Sequence, residues 1–151
     1  RARHEEALKA CSMVTRIDPE DFQGWQIGGT LLCQLGRHEE ALSAFDKATS
    51  IIPQFAQAWY SKGTALTSLG RHEESLVAYD QATELAPQFA QFWNDKGIAL
   101  SHLGRFEEAL LAFNQAMAAD PEYAQAKSNK QIILALLGMG EEPTSTRHEP
   151  E

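Results

Sequence analysis

Cysteine is scarce in this 151-residue chain: only Cys11 and Cys33 are present. Two thiols outside any CxxC pair are too few for a disulfide framework, so they read as reduced, packed side chains of a cytosol-type, cytoplasmic compartment. Basic charge is also short, with 13 lysines and arginines against 21 aspartates and glutamates and a formal net charge of −8. Without a basic stripe to neutralise phosphates, nucleic acid is not expected as a partner, and an anionic membrane surface offers no attraction. No run reaches the ~18 apolar residues of a spanning helix, and the opening RARHEEALKA lacks the apolar core of a signal peptide. Glycine-rich phosphate loops, HExxH and GxSxG are missing too. Nothing therefore signals nucleotide, zinc or acyl-transfer chemistry, and no cofactor, metal or catalytic residue is expected.

Proline and glycine are few but regularly placed. Pro19, Pro53, Pro87 and Pro121 stand 34 residues apart, as do Gly36, Gly70, Gly104 and Gly138, each after a leucine. The block LGRHEEAL at 35–42 returns as LGRHEESL at 69–76 and LGRFEEAL at 103–110. Such a period means one supersecondary unit copied and stacked, which works along a surface rather than at one catalytic point.

Each unit carries two helical patterns. In residues 56–89, Trp59, Gly63 and Leu66 share one helical face, and Gly70 ends that helix where a left-handed backbone is cheapest. A second helix begins near Arg71, with Glu73 and Glu74 in its first turn facing the positive end of the dipole. Leu76, Tyr79 and Ala82 form its apolar stripe, and Pro87 stops it. Small residues (Gly29, Gly63, Gly97; Ala41, Ser75, Ala109; Ala48, Ala82, Ala116) let the helices approach, beside Phe45, Tyr79 and Phe113. The expected fold is all-α, a solenoid of stacked antiparallel helix pairs.

The order Trp59, Gly63, Leu66, Gly70, Ser75, Tyr79, Ala82, Pro87, repeated across the chain, resembles the tetratricopeptide repeat (TPR) family. The Lys-Gly pairs at 62–63 and 96–97 are similar to those of many prokaryotic members. The resemblance implies a right-handed superhelix used for protein–protein interaction, with first helices lining the concave face. The expected layout is a second helix of a truncated repeat at 1–21 and whole repeats at 22–55, 56–89 and 90–123. A capping helix at 124–138 and a disordered tail at 139–151 complete it. Arg1–Asp21 reads as half a unit, so the chain is expected to be a fragment of a longer array, from which a targeting segment could be missing.

On that layout the face opposite the tryptophans points into the groove. It carries Gln23, Gln26 and Thr30, then Gln57, Tyr60 and Thr64, then Gln91, Asn94, Ile98 and His102, and finally Gln125 and Ser128. Glutamine amides offer both a donor and an acceptor to an extended peptide, while Phe55, Phe89 and Tyr123 stand at the rim or pack. A protein or peptide partner is therefore expected in a neutral groove with weak salt dependence. Two alternatives accompany this reading. One is a homo-oligomer through the terminal helices, whose apolar residues have no partner helix; the other is a recruiting segment of a larger enzyme. The ladder His4, His38, His72 spans units about 10 Å apart, too far for one metal. The glutamate pairs 39/40, 73/74 and 107/108 are explained by the helix dipole, and Lys62, Lys96 and Lys130 by stems laid on apolar surface.

Overall fold

The computed structural model describes residues 1–140. The expected tail lies outside the described residues apart from its first two positions. Eight α-helices follow one another: α1 (Ala2–Ile17), α2 (Phe22–Gln34), α3 (His38–Ile51), α4 (Ala56–Ser68), α5 (His72–Leu85), α6 (Ala90–His102), α7 (Phe106–Ala119) and α8 (Ala124–Leu136). No strand occurs among the described residues. The closest pairs are α2 with α3, α4 with α5, and α6 with α7, and each pair packs on the next. First helices also meet their counterparts directly, α2 against α4 and α6 against α8.

Two local devices set the helix ends. At Gly70 the backbone turns to φ 72°, which lets the Gly70 N–H reach Thr67 O at 3.0 Å and the Arg71 N–H reach Leu66 O at 2.9 Å. This pair of bonds satisfies carbonyls that the helix end would otherwise orphan. At the other end, each tryptophan Nε1 donates to a proline carbonyl six residues earlier, Trp25 to Pro19, Trp59 to Pro53 and Trp93 to Pro87, all at 2.8 Å. The ring thus anchors its helix to the preceding turn. Asp21 alone among the first-helix caps accepts a backbone bond, from Gly24 N at 2.9 Å.

Within each pair the core is a ring pressed on a glycine. A Cβ added at Gly29, Gly63 or Gly97 would stand 2.6, 2.6 or 2.5 Å from the rings of Phe45, Tyr79 and Phe113. Those rings are buried, as are Ala41, Ser75 and Ala109 beside them. Full burial of one such side chain contributes about 1.5–3 kcal/mol. The middle pair differs from its neighbours in three linked positions. Tyr79 OH lies 3.2 Å from Thr67 Oγ1, Thr67 Oγ1 lies 2.7 Å from Ser75 Oγ, and Ser75 Oγ donates to Gly63 O at 3.0 Å. The extra hydroxyls are thereby satisfied inside the core, where an orphaned one would cost about 1–3 kcal/mol.

A candidate protein-binding face on the first helices

The first helices are tied to one another by a row of polar side chains. Gln26 Nε2 donates to Ser61 Oγ at 3.2 Å, joining α2 to α4. Tyr60 OH donates to Asp95 Oδ2 at 2.6 Å, joining α4 to α6. Asn129 Nδ2 donates to Asn94 Oδ1 at 3.0 Å, joining α6 to α8. Each bond spans 35 residues. Three residues expected to face a ligand are therefore engaged with the neighbouring copy. Asn94 is only 1% exposed, so it lies beneath this face, covered by the next first helix. Gln26 and Tyr60 are half-buried, and Gln26 Oε1 is buried without a partner among the described residues.

The other expected residues lie differently. Gln23, Thr30, Gln57, Thr64, Gln91, His102, Gln125 and Ser128 are exposed, while Ile98 is half-buried. Thr30 and Thr64 return their hydroxyls to the carbonyls of Gln26 and Tyr60, at 3.0 and 3.1 Å. Gln125 Oε1 accepts from Tyr123 OH at 3.1 Å. His102 stacks on His72, with centroids 4.5 Å apart and planes 12° from parallel. Tyr60 stacks on Phe92 at 4.5 Å, and Phe89 leans on Phe92 at 5.0 Å. Phe55 meets Phe22 edge-on at 4.9 Å. Both rim phenylalanines stay about half exposed, at 43% for Phe55 and 50% for Phe89.

One carboxylate sits in this row. Asp95 takes the Tyr60 hydroxyl on one oxygen and Asn94 Nδ2 on the other, at 3.2 Å. Burial pushes its carboxyl above the usual carboxylate range, against the pull of those two bonds. The Tyr60 phenol is pushed up by its own burial and by the adjoining carboxylate. Tyr123 is raised in the same way, first by burial and then by Asp95 and Asp120. The 34-residue period gives no signal for the link of Asp95 to Tyr60, because the two stand 35 residues apart.

The flank of the first helices holds a second pattern. Lys62 Nζ reaches Asp46 Oδ1 at 2.8 Å and lies 5.3 Å from the Trp59 ring centroid. Lys96 repeats this with Asp80 at 2.9 Å and Trp93 at 5.2 Å. The corresponding residues of α2 and α1 are Gly28 and Ser12, so the strut is missing there. A cavity of about 800 Å³ opens in its place, lined among others by Leu8, Cys11, Trp25, Gly28 and Leu32. Both cysteines are free and half-buried, and burial pushes their thiols up, away from the reactive thiolate.

The glutamate pairs also have a structural use. Arg37, Arg71 and Arg105 grip Glu40, Glu74 and Glu108 with two nitrogens each, at 2.6–2.8 Å. The arginine bond holds these carboxylates below their usual range. An arginine followed three residues later by glutamate was the available signal for this clamp.

Models of the tetratricopeptide repeat match residues 25–55, 56–89 and 76–124. The chain belongs to the tetratricopeptide repeat family. No curated protein matches it by sequence. Solved structures of this fold are similar in shape. MamA superposes with a TM-score of 0.88 at 18% identity, over 90% of this chain and 80% of that one. Residues 41 to the end of MamA from Desulfovibrio magneticus RS-1 give 0.84 at 24%, over 90% and 77%. YrrB, described as a TPR protein with an unusual peptide-binding site, gives 0.81 at 24%, over 93% and 72%. At these identities the likeness is one of fold: the TPR solenoid of helix pairs expected from the period. No helix among the described residues is long and apolar enough to cross a membrane.

Proposed function

We propose that this TPR chain is a non-catalytic scaffold that holds a segment of another protein, extended along the face of its first helices. The observation that carries the reading is the set of exposed amides Gln23, Gln57, Gln91 and Gln125, one in the first turn of each first helix. Neighbouring first helices are about 10 Å apart, and an extended chain rises about 3.3 Å per residue. An amide therefore meets about every third peptide group of a strand laid across the helices, as donor or acceptor. The interlocked row behind the amides keeps them in register without using them. Phe55 and Phe89 add half-exposed rings at the edge.

A library of capped nine-residue peptides, passed over the immobilised full chain, tests this reading. The expected outcome is retention of extended peptides by the wild type and a loss of about tenfold in affinity for Gln57→Ala/Tyr60→Ala. Equal retention by the two proteins would sink the groove. A second reading rests on α8, where Ile132 and Leu136 are 58% and 64% exposed, and on α1, where Met13, Val14 and Ile17 are exposed. Copies joining through these ends would sediment as concentration-dependent oligomers, and the Gln57→Ala/Tyr60→Ala change would leave that assembly intact.

A further inference from the structure

From Asp95 and the rings around it, we infer that the binding face carries a site for one cationic side chain, a lysine or arginine of the bound segment. The inference rests on the extended-segment reading above and deepens it by naming the chemistry of one ligand position.

The argument begins with the copies. The residues equivalent to Asp95 are Ile27, Ser61 and Asn129, all uncharged. Ser61 and Asn129 each make the tie between neighbouring first helices with a neutral group. A tie at this register therefore needs no charge, and the negative charge of Asp95 is surplus to it. Keeping a half-buried carboxylate ionised costs free energy unless something compensates. Tyr60 and Asn94 supply two neutral donors, one to each oxygen. No lysine, arginine or histidine pairs with Asp95 among the described residues. Each carboxylate oxygen keeps a further lone pair, enough for an ammonium or for the two-nitrogen fork of a guanidinium.

The walls suit the same guest. The Tyr60 ring, stacked on Phe92, stands directly beside the carboxylate. The Tyr60 ring meets the carboxylate through its hydroxyl and is itself packed on Phe92 and Tyr79, so it fixes the acceptor in place while the charge attracts the guest. Lys62 and Lys96, the lysines of α4 and α6, are bound to Asp46 and Asp80 on the flank. The net charge of −8 favours approach of a basic segment over an acidic one. With this site the groove carries one negative charge among its neutral amides.

The peptide library used for the groove also decides this point, run on the wild type and on Asp95→Asn. The expected result is enrichment of lysine and arginine among peptides held by the wild type. Each binder should weaken about tenfold when its basic residue becomes glutamine, and by a similar factor on raising the salt from low to high. In Asp95→Asn the enrichment should vanish while neutral peptides are still held. Should Asp95→Asn fold poorly, Asp95→Ser, which copies Ser61 of the preceding repeat, gives the same comparison. Tyr60→Phe removes one neutral donor but leaves the carboxylate, and should keep the preference. Peptides retained without basic preference, or a preference unchanged in the variants, would overturn the cation site and leave the groove standing. No retention by any of the proteins would remove both.

Discussion

The seam inside each helix pair and the row between successive pairs are built on opposite plans. In the seam the same contact occurs three times, glycine under a ring, and even the middle copy's hydroxyl is absorbed by partners that changed with it. In the row every tie is different: amide to hydroxyl, phenol to carboxylate, amide to amide. Close packing penalises changes of volume, so the seam varies only in compensated sets such as Tyr79, Thr67 and Ser75. A half-exposed polar tie tolerates many chemistries, so the row is where copies diverge and where one can acquire a property the others lack.

Breaking the seam should produce the largest effect. In Gly97→Ala the new methyl would stand 2.5 Å from the Phe113 ring. The ring is buried and cannot swing out, so a loss of about 1–3 kcal/mol is expected, measured as a lower denaturation midpoint. A second change, Phe113→Leu, should recover part of it. Recovery would locate the cost in the contact itself rather than in the helix.

Transplanting a strut gives a smaller effect of opposite sign. Gly28→Lys with Ser12→Asp would install in α2 what Lys62 and Asp46 do next door. A Cβ at Gly28 meets only Cys11 Cβ, at an ordinary 3.6 Å. Replacing a mid-helix glycine contributes about 0.5–1 kcal/mol, and the pair adds a few tenths at most. The double variant should therefore melt higher than the wild type. No gain would mean that the cavity beside Trp25 matters less to stability than its size suggests.

The smallest effect is expected at Asp95. Burial raises its carboxyl in the folded state. The folded protein therefore binds this proton more readily than the unfolded chain. The stability linked to that proton is complete below the ordinary carboxylate range and is lost as pH rises through the elevated folded value. Asp95→Asn, which carries no titrating group, should thus melt slightly higher than the wild type at pH 7, by about 1–3 °C. The gap should close as the pH falls to the ordinary carboxylate range and below. A wild type more stable than the variant at neutral pH would mean that the charge itself holds the row together.

Much of the seam was legible before any coordinates, because its parts recur at one fixed interval. Trp59, Gly63 and Tyr79 announce themselves by their copies at 34 residues. The row was not legible for the same reason. Its bonds run at an interval of 35, between positions that are not equivalent in the repeat, which no comparison of equivalent positions reveals. Asn94 shows the limit most clearly. A helical wheel places it on the open side of α6, but only the arrival of α8 with Asn129 decides that it is covered. The missing strut could have been read from Gly28 and Ser12, since Lys62 and Asp46 stand at the same places one unit later. That reading needed the pairing across helices as well as the period along the chain.

The offset of one residue in the row has a mechanical consequence. A tie between equivalent positions would run straight across the stack and let it bend like a hinge. A tie displaced by one residue runs on the diagonal, along the helix axis by about 1.5 Å and around it by about 100°. Diagonal ties brace a stack against twist and against sliding of one layer past another. The braces are unequal, from 2.6 Å at Tyr60–Asp95 through 3.0 Å at Asn94–Asn129 to 3.2 Å at Gln26–Ser61. Twisting one repeat against the next therefore strains a side-chain hydrogen bond at each of these three joints.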